Sequence, residues 1–264
     1  MSQLTSGDTA TFYDLWSELF LSAFGPVLQA GIVPTGDPPR EDPEQSVLEL
    51  AVRAGLQDGD RVLDAGCGVG GPAIVVASHY RSVTIEGVTI SRRQTDIGRR
   101  LVAEAGVADR VQIQTADYQR LPFRAAQFDQ VLFLESTGYA TDLETAYNEA
   151  FRVLSPGGRL YVKDVFCRSG ELDEGEAEEM KAFDALWSCT RSKTITESVD
   201  AISAAGFEVE FSSPLHVGTD RLLGSMFEPS PGGGFQRTPL GDAFWRKDLD
   251  PPIVFGEIRA VTPR

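Results

Sequence analysis

Apolar residues recur along the chain in two rhythms, and their alternation predicts the architecture. Before residue 60 the spacing is helical: Phe12, Leu15, Leu19 and Phe20 fall near one face, and a second helix, Glu44–Ala54, follows a Pro-rich loop over 34–43. From Arg61 onward strands and helices take turns. Val62–Leu63 is a short strand entering the turn Gly66–Gly71, and Pro72–Ser78 reads as helix. Val83–Ile90 is the next strand; Ser91-Arg-Arg-Gln94 then has the capping-box pattern of a helix start. Val111–Gln114 and Gln130–Leu134 are strands, and Thr141-Asp-Leu-Glu144 opens, with another capping box, a helix that carries Leu143, Ala146, Tyr147, Ala150, Phe151 and Leu154 on one face. Pro156-Gly-Gly158 turns into the strand Leu160–Phe166, residues 176–190 and 195–204 are helical, and Phe207–Phe211 and Ile253–Val261 close as strands. Such alternation favours an α/β fold whose mostly parallel sheet is covered on both faces. The stretch 214–252, rich in Gly and Pro and holding Trp245, is too long for a hairpin connection and reads as an inserted lid or a homo-oligomer contact.

Composition narrows the functions open to such a fold. The chain has 264 residues, 42% apolar and 24% charged, enough for one large domain with appendages. Its 39 acidic and 24 basic side chains give a formal charge of −15, which repels phosphate backbones and argues against a nucleic-acid partner. No apolar run is long enough to cross a bilayer, and Asp8, Asp14 and Glu18 stand where a signal peptide would carry basic residues, so a cytoplasmic protein without membrane attachment is expected. Cys67, Cys167 and Cys189 are too scattered for a disulfide framework, and with only two histidines no Cys/His set has zinc spacing.

The chemistry therefore rests on the glycine turn. In Val62-Leu-Asp-Ala-Gly-Cys-Gly-Val-Gly-Gly71 the backbone swings from a strand tip into a helix, and a ligand can touch main chain where no Cβ intervenes. Gly66, Gly68 and Gly71 satisfy the dinucleotide spacing, yet Asp64, two residues earlier, suits a cationic amino-acid tail and would repel a pyrophosphate. Ala116-Asp-Tyr-Gln-Arg-Leu-Pro-Phe123 puts a carboxylate and a ring after the next strand but one, with Asp117 placed to accept an adenine amino hydrogen.

The D-x-G-x-G loop, the A-D-x-x-x-L-P-F segment and the L-x-P-G-G-x-L turn, in this order over about residues 45–212, resemble those of class I S-adenosylmethionine-dependent methyltransferases. The resemblance implies a seven-stranded Rossmann-like sheet with its last strand antiparallel, an N-terminal helical cover over 1–56, and a cofactor-binding domain over 57–264 that includes the 214–252 insertion. It implies S-adenosylmethionine as cofactor, with Asp64, Gly66, Cys67 and Gly68 around its methionine part and Asp117 and Tyr118 at its adenine. The second strand lacks the family's usual acid for the ribose. Instead Glu86-Gly-Val-Thr-Ile-Ser-Arg-Arg-Gln94 is similar to cyclopropane fatty acid synthases and isoprenoid C-methyltransferases, which transfers the ribose contacts to Thr89, with Ile90, and Gln94; for Gln94 the capping box is an equal reading. Glu86 is expected to face a basic residue on another strand.

A sulfonium methyl is attacked in line. Oxygen and nitrogen acceptors usually call for a base at the moment of attack, whereas an alkene carbon attacks unaided and leaves a carbocation that needs aromatic faces, dryness and one carboxylate to take a proton. Leu134-Glu-Ser-Thr-Gly-Tyr139 sets Glu135 at a strand's C-terminal end with Tyr139 four residues on, and resembles prenyl diphosphate C-methyltransferases, in which the Glu takes the proton; a backbone-capping role for Glu135 is the plain alternative. Phe12-Tyr-Asp14 and Leu28-Gln-Ala-Gly31 resemble elements that cover the cofactor in sterol-type enzymes, giving Tyr13 a substrate contact and Gln29 a cofactor contact where the usual residue is His. The expected reaction is C-methylation of an isoprenoid, either a prenyl diphosphate such as isopentenyl or geranyl diphosphate or a prenylated natural product; methylation of O or N on a small metabolite is the alternative. A diphosphate would need Mg2+ or cations, for which Arg168, Arg191 and Lys193 stand nearest in sequence, and without a basic cluster a neutral acceptor is expected.

Overall fold

The computed structural model describes residues 5–32, 42–218, 227–229, 235–237 and 251–264. Its centre is a seven-stranded sheet made of β2 (Arg61–Ala65), β3 (Thr84–Thr89), β4 (Val111–Thr115), β5 (Phe128–Leu134), β6 (Leu154–Cys167), β7 (Glu208–Pro214) and β11 (Ile253–Val261). The spatial order is β4-β3-β2-β5-β6-β11-β7, parallel from β4 through β6, with β11 antiparallel to both its neighbours. The order reverses between β2 and β5, and that switch point opens the crevice in which ligands of such sheets bind.

Two apolar cores explain why both faces are covered. On one face Leu63, Val131, Phe133, Leu160 and Val162 pack under α5 (Leu143–Val153) and α7 (Ile195–Ala204); on the other Val62, Ile85, Ile113, Leu132 and Tyr161 pack under α2 (Pro43–Arg53), α3 (Gly71–His79) and α4 (Arg92–Glu104). A third cluster joins α1 (Ser6–Phe24) to α6 (Glu174–Trp187) through Phe20, Phe24, Trp16, Leu186 and Trp187 above the sheet's C-terminal edge. The expected elements are all present, with ends shifted by a few residues. α6 runs from Glu174 to Trp187 and stops at Ser188, whose φ of 57° breaks the helix three residues before Arg191. The Pro156-Gly-Gly158 turn is absorbed into an irregular start of β6, where Gly157 has φ 74° and Gly158 N–H donates to Thr262 Oγ1.

Two capping expectations need correction. The cap of α5 is Asp142, which accepts from the N–H groups of Glu144 and Thr145, because its carboxylate sits one residue nearer the first turn than Thr141. At α4 only half of the box forms: Ser91 caps Gln94 N–H, but the Gln94 side chain turns to Thr89. Glu86 has no ion pair among the described residues; it accepts from Gln114, and burial raises its carboxyl.

Of the insertion, β8 (Val217–Gly218) pairs antiparallel with β1 (Gly31–Ile32) of the cover, and β9 (Phe227–Pro229) pairs with β10 (Phe235–Arg237); Trp245 lies outside the described residues. Among the described residues no helix is long and apolar enough to cross a membrane.

Candidate active site

The glycine turn is dictated by crowding. Gly66 has φ 90°, and a Cβ there would come within 2.4 Å of Ser136 Cβ, while a Cβ on Gly71 would meet Pro26 O at 2.0 Å. Ser136 is fixed beneath the turn by its own bond to Ala65 O (2.7 Å). The close approach leaves a cavity of about 110 Å³ at the switch point, and its wall brings together Gly66, Cys67, Gly68, Thr89, Ile90, Gln94, Asp117, Tyr118, Gln29, Tyr13, Glu135 and Tyr139. These are twelve residues that sequence reasoning had assigned separately to donor and acceptor.

Polar bonds organise the cavity from one end to the other. Thr89 Oγ1 donates to Gln94 Oε1 (2.6 Å), Gln94 N–H to Ser91 Oγ (3.0 Å), and Ser91 Oγ to Asp14 Oδ1 on α1 (2.5 Å). Asp14 also accepts from Arg93 N–H (3.0 Å), so it caps α4 from across the cleft. Asp117 accepts from Gln119 N–H and from Ser6 at the start of α1 (3.2 Å). Tyr118 donates to Ser136 O (2.8 Å) and stands edge-on to Phe133; burial raises its phenol, as it raises the Cys67 thiol. Gln29 donates to Leu134 O (3.3 Å). The cover helix is thus tied to both the Thr89/Gln94 end and the Asp117 end.

Asp64 does not line this cavity. It is 2% exposed on the opposite face of β2 from Leu63 and lines a separate cavity of about 20 Å³ with Leu50, Pro72, Ala73 and Tyr161. Strand alternation turns it away from the donor cleft, and burial pushes its carboxyl up to about 7.

A second cavity, about 210 Å³, adjoins the first and shares Tyr13, Leu28, Gln29, Glu135 and Tyr139 with it. Its remaining wall brings four rings, Phe24, Phe183, Trp187 and Phe255, together with Val165 and Ile253 and the polar Asp164, Cys189 and Ser192. Tyr13 donates to Tyr139 across the junction (2.5 Å), the rings meeting edge to face, and desolvation raises both phenols. Glu135 stands at the same junction in a left-handed backbone conformation (φ 56°), which costs a non-Gly residue roughly 1–2 kcal/mol. Its N–H donates to Lys163 O (2.6 Å), and its Oε1 accepts from Ala30 N–H (3.0 Å) and from the fully buried Lys163 ammonium. Oε2 takes no hydrogen bond among the described residues.

Several residues of this cavity were not foreseen, Phe24, Phe183, Trp187, Phe255 and Asp164, nor was Lys163, which holds Glu135. Asp164 accepts from Thr137 N–H and Oγ1, both at 2.7 Å, and burial lifts its carboxyl to about 6. One signal was available, the Lys163-Asp164 pair inside the otherwise apolar strand Leu160–Phe166. Conversely, the expected cations do not reach the cavity. Arg191 pairs with Glu197 (2.7 Å), Lys193 donates to Arg191 O (2.7 Å), and Arg168 pairs with Glu176 (2.5 Å). Among the described residues no group of three or more His, Cys, Asp or Glu is placed to hold a metal ion.

With this geometry in place, a family model described as a methyltransferase domain matches residues 62–158. Methyltransferase GfsG of Streptomyces halstedii is 31% identical over 207 residues, 77% of this chain and 74% of that protein. Cycloartenol-C-24-methyltransferase of Arabidopsis thaliana is 30% identical over 210 residues, covering 77% of this chain and 61% of the plant enzyme, and O-methyltransferase rstn1 of Aspergillus nomiae is 32% identical over 176 residues, 64% and 76%. The chain thus spans less than two thirds of the length of some curated relatives it matches. In fold it is similar to the cyclase SpnF (TM-score 0.78, 24% identity, 100% of this chain and 98% of that one) and to a geranyl diphosphate methyltransferase solved with its diphosphate and sinefungin (0.76, 21%, 97% and 98%). The protein belongs to the class I S-adenosylmethionine-dependent methyltransferases and is similar to their sterol C-methyltransferase group.

Proposed function

We propose that the protein methylates an alkene carbon of an uncharged isoprenoid, such as a prenylated natural product. The observation that carries this reading is the Glu135 carboxylate at the meeting of the glycine-built cleft and the aromatic cavity. S-adenosylmethionine, when bound, supplies an electrophilic methyl on a sulfonium. Gly66, Cys67 and Gly68 are assigned to its methionine part, Thr89, Ile90 and Gln94 to the ribose, Asp117 and Tyr118 to the adenine, and Gln29 to the cover side.

The chain's own groups then divide the work on the acceptor. The walls formed by Tyr13, Tyr139, Phe183, Trp187 and Phe255 exclude water and hold the alkene against the donor methyl. Their faces stabilise the positive charge left on the acceptor's neighbouring carbon after its π pair has formed the new C–C bond. Glu135 takes a proton from an adjacent C–H, whose electron pair becomes the product's double bond. Its Oε1 is held by Ala30 and Lys163, which leaves Oε2 for that proton. A neutral acceptor is favoured over a diphosphate because Arg168, Arg191 and Lys193 are engaged elsewhere, and Asp164 adds acidic character to the cavity.

The test is transfer from S-adenosylmethionine labelled with carbon-13 in its methyl, offered geraniol and farnesol beside isopentenyl, geranyl and farnesyl diphosphates. The reading expects an aliphatic carbon-bound methyl with the alcohols at higher kcat/KM than with the diphosphates. A label found on oxygen or nitrogen overturns it.

A further inference from the structure

Lys163 is an anomaly in the sheet. It lies in the middle of β6, its side chain is wholly buried, and an ammonium in such a place is costly unless every donor is used. Its Nζ bonds both Ala30 O (2.7 Å) and Glu135 Oε1, and it stands 5.3 Å from the centre of the Phe255 ring. Ala30 is held twice, since its N–H reaches the same Glu135 oxygen. Glu135 is also held twice by residue 163, through main chain and side chain. Four separate pieces of chain therefore meet at one ammonium: the end of β5, the middle of β6, the start of β11 and the segment Leu28–Ala30 of the cover.

We infer that Lys163 is a positioning residue that locks the cover segment Leu28–Ala30 and the Glu135 carboxylate into one unit, so that the carboxylate is aimed at the donor–acceptor junction only when the cover is closed. The inference deepens the proposed role of Glu135 and rests on it for its catalytic meaning; the lock itself is a statement about closure and can be measured without an acceptor. Removing the ammonium frees Ala30 O and leaves the carboxylate only the Ala30 N–H, so the segment Leu28–Ala30 is then held by Gln29 on Leu134 O and the short ladder between β1 and β8, while α1 keeps its bonds through Ser6, Tyr13 and Asp14.

The experiment compares the full chain with Lys163→Met, Lys163→Gln and the neutral pair Glu135→Gln/Lys163→Met by hydrogen exchange in saturating S-adenosylhomocysteine and by the dissociation rate of that compound. In Lys163→Met the amides of residues 25–32 exchange at least ~10-fold faster, with S-adenosylhomocysteine leaving ~10-fold faster, while amides of β2 and β3 keep wild-type protection. The neutral pair regains the thermal stability that an unpaired buried carboxylate takes away but not the protection of 25–32, which separates a locking role from a simple need to neutralise charge. Should Lys163→Met not fold, Lys163→Gln and the neutral pair carry the same comparison. Wild-type protection and dissociation in the variants that fold overturn the inference, as does recovery of both in the neutral pair. A methyl found on oxygen would refute the proposed reaction while leaving these exchange results as they stand.

Discussion

The two cavities at the switch point are built by different means. The floor of the proposed donor cavity is made of strand tips and the turns that follow them, Gly66–Gly68 after β2, Thr89 at the end of β3, Asp117 after β4 and Glu135 after β5, and residues of the N-terminal cover such as Tyr13 and Gln29 close it. Each contributor sits in a short local pattern whose geometry the backbone enforces, as the 2.4 Å approach of a Gly66 Cβ to Ser136 demonstrates. The acceptor cavity is instead assembled from side chains far apart in sequence, Phe24 on α1, Phe183 and Trp187 on α6, and Phe255 on β11. The first cavity takes its polar floor from local patterns and the second its rings from elements distant in sequence, so on the proposed function changes to that floor are expected to act on donor binding and changes to those rings on acceptor choice.

The largest effect that would sharpen this division is expected from Gly66→Ala. The new methyl meets Ser136 and forces a non-glycine residue to φ 90°, so affinity for S-adenosylhomocysteine measured by calorimetry falls ~100-fold, equivalent to about 3 kcal/mol. Trp187→Leu tests the other side. It should raise the acceptor KM ~10-fold and leave S-adenosylhomocysteine affinity within about twofold, because Trp187 lines only the second cavity. A change in donor affinity of the same size would break the division between the cavities. Asp14→Ala lies between them: losing the bonds to Ser91 and Arg93 costs about 1 kcal/mol of capping and weakens donor affinity ~5-fold without touching acceptor selectivity.

A residue that belongs to neither cavity should leave both affinities unchanged and act on stability alone. Asp64 titrates at about 7 in the folded chain against 3.8 as a free carboxyl, so the folded state binds that proton more tightly and stability falls as pH rises from 3.8 to about 7. Asp64→Asn removes this slope. Its Tm exceeds that of the wild type by a few degrees above pH 7 and matches it below 3.8, as differential scanning calorimetry can follow. Asp164, raised to about 6, contributes a similar slope from 3.8 to about 6 that persists in the variant.

The contrast also explains what could be read in the chain beforehand. Strand–helix alternation and the glycine turn report local geometry, so the sheet was legible, and the residues assigned to the donor, Asp64 aside, meet at one cavity in which Thr89 and Gln94 are bonded to each other. Asp64 lines a different cavity from the other residues assigned to the donor because motif spacing says nothing of which sheet face a strand residue takes, and alternation sends it under α2 and α3. Arg191 and Lys193 line neither cavity, because a nearby Glu197 and a main-chain oxygen engage them. The aromatic wall was illegible for a further reason: Phe24, Trp187 and Phe255 meet only through the docking of α1 and α6 on the sheet edge, a long-range event with no sequence period.

The account turns on Glu135 joining the two cavities, and Glu135→Gln puts that claim to its most direct measurement. Quantified side by side on an acceptor the wild type methylates, product formation should fall by at least ~1000-fold while S-adenosylhomocysteine binds within about twofold of wild type. Undiminished formation of the same carbon-methylated product by this variant would contradict the account.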